Sequence, residues 1–210
     1  MESNPSTAPL YPPRRGPKPR PDTRDNLVRA GARLLHETGY TATGVKDIVD
    51  AAQVPKGSFY NHFASKEAFG AEVVDFYFGQ SLPELRRRLT DPDLPPLTRL
   101  RVFFEQRTQR FGDGGHARGC MMGNLSLEVA DHSDVIRERL ALHFQTWGRL
   151  FATCIAEAQA QGAMRSPLPA SVLANYLLDS WEGALLRMRA DKSGAPLERF
   201  IEVTFSTLLV

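Results

Sequence analysis

The stretch Val54–Phe63, VPKGSFYNHF, leaves few ways to fold the chain around it. Just before it, Val45, Ile48, Val49 and Ala52 recur at helical spacing, which gives a short helix one apolar face. Pro55 ends that helix, because it lacks the N–H that a helix interior needs. It is tolerated at the start of a second helix, where that N–H would be unpaired anyway. Two short helices joined by a tight turn make a helix-turn-helix. In the second, Phe59 and Phe63 stand four residues apart and face the core, while Lys56, Ser58, Tyr60, Asn61 and His62 keep the other side polar and aromatic. Those residue types suit a duplex groove. Lys and Tyr reach phosphate oxygens, Ser, Asn and His reach phosphates or base edges, and Gly57 lets the backbone approach the sugar–phosphate closely. The plainer alternative is a solvated face on an ordinary core helix.

KGSFYNHF, followed by SKE and an apolar residue, resembles the DNA-binding domain of the TetR family of bacterial one-component regulators over residues 24 to 72. The resemblance makes Lys66 the counterpart of the family's phosphate-contacting lysine. One departure is Gln53, which occupies the turn where the family usually has glycine. A left-handed backbone there would cost a glutamine on the order of 1 kcal/mol.

Around this stretch the pattern is helical. Leu27, Ala30, Leu34, Leu35 and Thr38 predict a helix from Asp22 or Thr23 to Thr38, with Gly39 as its natural end. Thr43 is expected to cap the next helix. With Lys46 in the first turn it could hold a phosphate at the exposed N–H groups. Ser65 is expected to cap a helix running towards Gly79, linking this head to the rest.

The net charge of +2 says little until its distribution is read. Residues 71 to 210 carry 16 basic and 17 acidic side chains, so the basic excess lies at the N-terminal end. There Arg14, Arg15, Lys18 and Arg20 sit in a proline-rich segment, residues 1–21, which is expected to be a disordered basic arm that lies along DNA. Without DNA contact it would be a solubilising tail. No apolar run is long enough to cross a bilayer and none resembles a signal peptide, so the expected location is the cytoplasm. In a reducing cytoplasm Cys120 and Cys154 are expected to be free thiols.

Beyond the proline-rich loop Leu89–Leu97, apolar periodicity predicts five further helices. The expectation is an all-α chain of about nine helices: a three-helix head over 22–68, then a ligand-binding and dimerisation bundle over 69–210. The last two helices are apolar over wide arcs, more than one neighbour can cover, and in the resembled family their counterparts form a four-helix dimer interface. A symmetric dimer would set two recognition helices on the half-sites of a palindromic operator.

RGCMMGNLSLEVAD, Arg118–Asp131, and WEGALLRMRAD, Trp181–Asp191, resemble a TetR subgroup that includes regulators responsive to acrylate and to electrophiles such as N-ethylmaleimide. Cys120 is the expected sensor. It falls at a helix N-terminus beside Arg118, and both the dipole and the cation favour thiolate. The alternative is a small buried apolar cysteine. Trp147, Tyr176 and Trp181 could wall a pocket, with Asn124 and Glu182 as its polar groups, although a stripe at helical spacing needs no ligand to explain it. His116, His132 and His143 lack the paired spacing of a metal site, so neither metal nor cofactor is expected. The resulting expectation is a homodimeric, ligand-released repressor without enzymatic activity. Its rivals are a thiol redox sensor acting through Cys120, a constitutive DNA-binding protein, and a helical thiol enzyme with His116 as base.

Overall fold

The computed structural model describes residues 22–210; the basic arm, with Arg14 and Arg15, lies outside them. The described residues form eight α-helices and no strands: α1 (Thr23–Thr38), α2 (Val45–Ala51), α3 (Lys66–Leu89), α4 (Pro96–Asp113), α5 (Met121–Val129), α6 (Asp134–Ala160), α7 (Ala170–Asp191) and α8 (Ala195–Val203). The last turn of α8 widens into a π-helical turn, Thr204–Leu208.

The second helix of the helix-turn-helix is shorter than expected: a 3-10 turn, Lys56–Ser58, followed by a turn in which the His62 and Phe63 N–H groups both donate to the Phe59 carbonyl at 3.0 Å. Pro55 and Gly57 weaken a helix that is already too short to recover its nucleation cost. The turn is held from below instead. Phe59 and Phe63 are buried against Phe69 of α3, with ring centroids 5.1 and 4.9 Å from it. Gly31 of α1 lies flat on that ring, since a Cβ there would come within 2.7 Å of Phe69 Cε1 or closer. Gln53 has a φ of 55°, so the turn does need a left-handed residue, and the Val54 N–H closes it by donating to the Val49 carbonyl at 3.0 Å.

The third helix departs from its expected end. Instead of stopping near Gly79 it runs through Pro83 to Leu89. Glu84 pairs with Arg87 and Arg88 one turn on, and these arginines also complement the negative end of the helix dipole. As one helix reaching from the head deep into the bundle, α3 packs against α1 at one end and α4 and α6 at the other. The bundle closes on an aromatic core of Phe103, Phe104, Phe151, Trp181 and Phe200. None of the helices is long and apolar enough to cross a membrane.

Candidate functional site

On the outer side of the recognition turn, Lys56, Gly57, Tyr60 and Asn61 are exposed and Ser58 and His62 half-buried. Tyr60 is 63% exposed although its ring meets Phe59 edge-on at 5.2 Å.

Three residues expected at the phosphates also make contacts within the protein. Thr43 is buried, donates to the Gly39 carbonyl at 2.6 Å and meets the Thr38 hydroxyl at 2.9 Å, so it does not cap α2. Gly44 is the N-cap, and its N–H donates to the Asp47 carboxylate at 2.8 Å. Lys46 is exposed and paired with Asp50 at 2.7 Å. Lys66 donates to the Tyr40 carbonyl at 2.7 Å and sits 4.2 Å over the Tyr40 ring, which ties α3 to the α1–α2 loop. Ser65 caps α3 as expected, accepting from the Ala68 N–H at 3.1 Å.

In the bundle, Cys120 is the N-cap of α5 and is buried. The expected thiolate is not what the fold builds. Arg118 turns away to Glu37 at 3.1 Å, and the group beside the thiol is Glu182 of α7. Burial, then the Glu182 carboxyl, push the Cys120 thiol well above its ordinary range, against the pull of the Gly123 and Met122 N–H groups at the helix start. Burial likewise raises Glu182 to about 7, while the neighbouring Cys120 thiol works in the opposite direction. The Glu182 Oε1 is enclosed without a hydrogen-bond partner. This close approach depends on Gly123, where any Cβ would collide with the Glu182 carboxylate. The pair is therefore a protonated thiol against a carboxyl that titrates near neutrality. Glu182 was expected as a polar group of the pocket, but not as the partner of Cys120, because α7 returns to the site from about sixty residues along the chain.

Cys120 walls two cavities. One, of about 540 Å³, lies between α5, α6 and α7 and contains Glu182, Phe144, Leu178 and Leu186. The other, of about 500 Å³, is lined from α3, α4 and α6 by Tyr77, Arg107 and Trp147 among others. Of the expected pocket aromatics only Trp147 faces a cavity at Cys120. Trp181 is 1% exposed and belongs to the aromatic core, and Tyr176 lies 57% exposed on the outer face of α7. Asn124 lines the first cavity but is already bonded on both sides, donating to the Arg118 carbonyl at 2.6 Å and accepting from Arg189 at 2.9 Å. Arg107 and Tyr77 were not singled out in the sequence, since an arginine on an amphipathic helix gives no sign of which way it points.

Comparison with known proteins bears on both regions. Residues 27–73 match the family described as bacterial regulatory proteins, tetR family, and residues 96–204 match the tetracyclin repressor-like C-terminal domain. The chain belongs to the TetR family. A transcriptional repressor of Mycobacterium sp. strain GP1, DhaR, is 41% identical over 190 residues, 90% of this chain and 94% of the relative. The transcriptional regulator AcuR of Cereibacter sphaeroides is 36% identical over 203 residues, 95% of this chain and 93% of the relative. The crystal structure of a regulatory protein TetR from Rhodobacter sphaeroides superposes with a TM-score of 0.82 at 36% identity, covering 90% of this chain and 100% of that one. These relatives make the chain a ligand-responsive transcriptional repressor of a family that typically binds DNA, dimerises and is not enzymatic.

In this TetR-family chain the cavity region is joined to the head by more than α3. His36 of α1 donates from Nε2 to the Gly119 carbonyl at 2.9 Å; burial lowers its pKa and favours the neutral ring. The Glu128 carboxylate on α5 accepts from the Tyr40 and Thr41 N–H groups at 2.9 and 2.6 Å. Burial would raise that carboxyl, but these N–H groups hold it below its ordinary range. Val172, Tyr176 and Val203 leave exposed apolar surface on α7 and α8.

Proposed function

We propose that this repressor binds a palindromic operator as a homodimer through α7 and α8, and that a small molecule captured beside Cys120 releases it. The chain then divides into the basic arm 1–21, the DNA-binding head 22–68 and the ligand-binding and dimerisation body 69–210, in a cytoplasmic protein. Lys56, Gly57, Ser58, Tyr60, Asn61 and His62 meet the DNA, with Lys46, Lys66, Arg14 and Arg15 at its phosphates. The effector is a small unsaturated acid or another soft electrophile, and Cys120 is its sensor. Glu182 supplies the base that the buried thiol lacks: it takes the S–H proton as sulfur adds to the β-carbon, the C=C π pair moves to the carbon beside the acceptor carbonyl, and Glu182 returns the proton to that carbon.

The observation that carries this reading is the coupling of the two regions: the segment 118–120 is bonded to α1 through Glu37 and His36, so a change in the cavity wall at Cys120 moves the head. Release requires that the effector prefer the conformation that does not fit the operator. Oxidation of Cys120 is the rival route, and it draws on the same thiol and the same base.

Fluorescence anisotropy of the purified protein on its own promoter DNA tests this, with and without acrylate or N-ethylmaleimide. Wild type is expected to leave the DNA and Cys120→Ala to stay. Release that is unchanged by Cys120→Ala would remove the covalent route, and a lack of specific DNA binding would overturn the operator reading.

A further inference from the structure

On the reading that the bundle captures an effector, we infer that the cavity between α3, α4 and α6 is an anion site for a small monocarboxylate, held by Arg107 and by the indole N–H of Trp147. Two unanswered donors point to it. Trp147 is only 8% exposed and lines the cavity, yet its Nε1 is enclosed without an acceptor. An indole N–H can only donate, so within the protein it is left unsatisfied. Arg107 lines the same cavity, and among the described residues no carboxylate pairs with it; its guanidinium has the Phe103 ring, 5.5 Å away, as its neighbour. Burial pulls its pKa down, as it does for a cation that lacks a counter-ion.

The rest of the wall narrows the ligand class. Glu84 is the carboxylate on this wall, and it is already bonded to Arg87 and Arg88 on its own helix. It leaves Arg107 unneutralised; with Arg110, which also lines this cavity, the wall carries two cations against one carboxylate, and the single charge left over is balanced by a monoanion rather than a dianion such as phosphate. Phe78, Met122 and the Trp147 ring supply an apolar side, which suits an acid with a short hydrocarbon body better than an inorganic ion. A carboxylate satisfies both donors at once, since it accepts from a guanidinium and has lone pairs left for the indole. Cys120 lies on the same wall, so an acid bound here is held beside the thiol. Arg118, the cation nearest Cys120 in the chain, is committed to Glu37, which leaves Arg107 to meet the acid.

Isothermal titration calorimetry on the full chain tests the site, with propanoate, hexanoate and their neutral amides as probes. These saturated compounds cannot add to a thiol, so binding reports the anion site alone. The acids are expected to bind about tenfold or more tighter than the amides, a factor typical of a charge-assisted contact. Arg107→Gln is expected to abolish that preference. Trp147→Phe keeps the ring and removes the donor, and should weaken the acids roughly three- to tenfold; it carries the test alone if circular dichroism finds Arg107→Gln unfolded. Acids that bind no better than amides, or affinities that neither substitution changes, overturn the site. Operator binding followed in parallel separates the two readings. A carboxylate that binds without releasing DNA supports the site and counts against its role as effector site. Release by other compounds, with no carboxylate binding, sinks the site and leaves the repressor standing.

Discussion

At the recognition turn the polar side chains stand in water on a floor of phenylalanines, whereas around Cys120 two polar atoms, Trp147 Nε1 and Glu182 Oε1, are enclosed and bond to nothing. Both regions keep hydrogen-bonding capacity unused, but only the second loses folding free energy by doing so. An exposed lysine or asparagine is satisfied by solvent until DNA replaces it. An enclosed indole N–H or carboxyl oxygen has given up its water and gained nothing, at a cost of roughly 1 to 3 kcal/mol each. The head can therefore hold its binding face ready cheaply. On the proposed reading, a ligand that supplies the missing partners in the body recovers that cost, and this lets occupancy shift a conformational equilibrium.

The largest test of this contrast is in the head. Phe59→Ala removes the ring that seats the turn and should cost about 3 to 5 kcal/mol in urea unfolding, with operator affinity lost alongside. Tyr60→Ala next to it should leave stability within about 0.5 kcal/mol and lower operator affinity alone. Equal effects on stability from the two would break the separation between floor and face.

The second test is in the body. Glu182 has a folded pKa raised to about 7 from an ordinary 4.5, so the folded state holds its proton more tightly than the unfolded chain does. The sign follows: the wild type loses stability as pH rises through 4.5 to about 7, a loss of roughly 3 kcal/mol that is complete above that window. Glu182→Gln removes the ionisation. It should be the more stable protein at pH 8, match wild type near pH 4.5, and flatten the curve between them. Unfolding of both proteins at both pH values decides this, and a difference between wild type and Glu182→Gln that does not change with pH would mean the carboxyl carries no such penalty.

The smallest effect is expected in the turn itself. Gln53→Gly relieves a left-handed backbone at φ 55° and should stabilise the head by about 1 kcal/mol without altering the operator contacts, as read from the melting temperature and anisotropy.

Much of the head was legible because its constraints are local: Pro55, Gly57 and the Phe59/Phe63 spacing lie within nine residues. Its errors were local too. Thr43 has the chemistry of a cap and a phosphate ligand, but the chain turns its hydroxyl inward to Gly39, and Gly44 takes the cap position. In the body the helices were legible from periodicity, while the direction of each side chain was not. Trp147, Trp181 and Tyr176 look alike in sequence, yet one walls a cavity, one fills the core and one faces outward.

By itself the sequence determined an all-helical chain with a helix-turn-helix head, the Cys120 segment as the place to look for sensing, and α7 and α8 as helices with more apolar surface than one neighbour can cover. Apolar spacing and turn chemistry act over a few residues and survive in any window of the chain. Tertiary structure alone decided that Arg118 pairs with Glu37, that Glu182 stands against Cys120, and that Arg107 and Trp147 share a cavity with their donors unanswered. Those facts depend on which helices pack together, and burial sets the protonation and hydrogen bonding of a group only once its neighbours are in place.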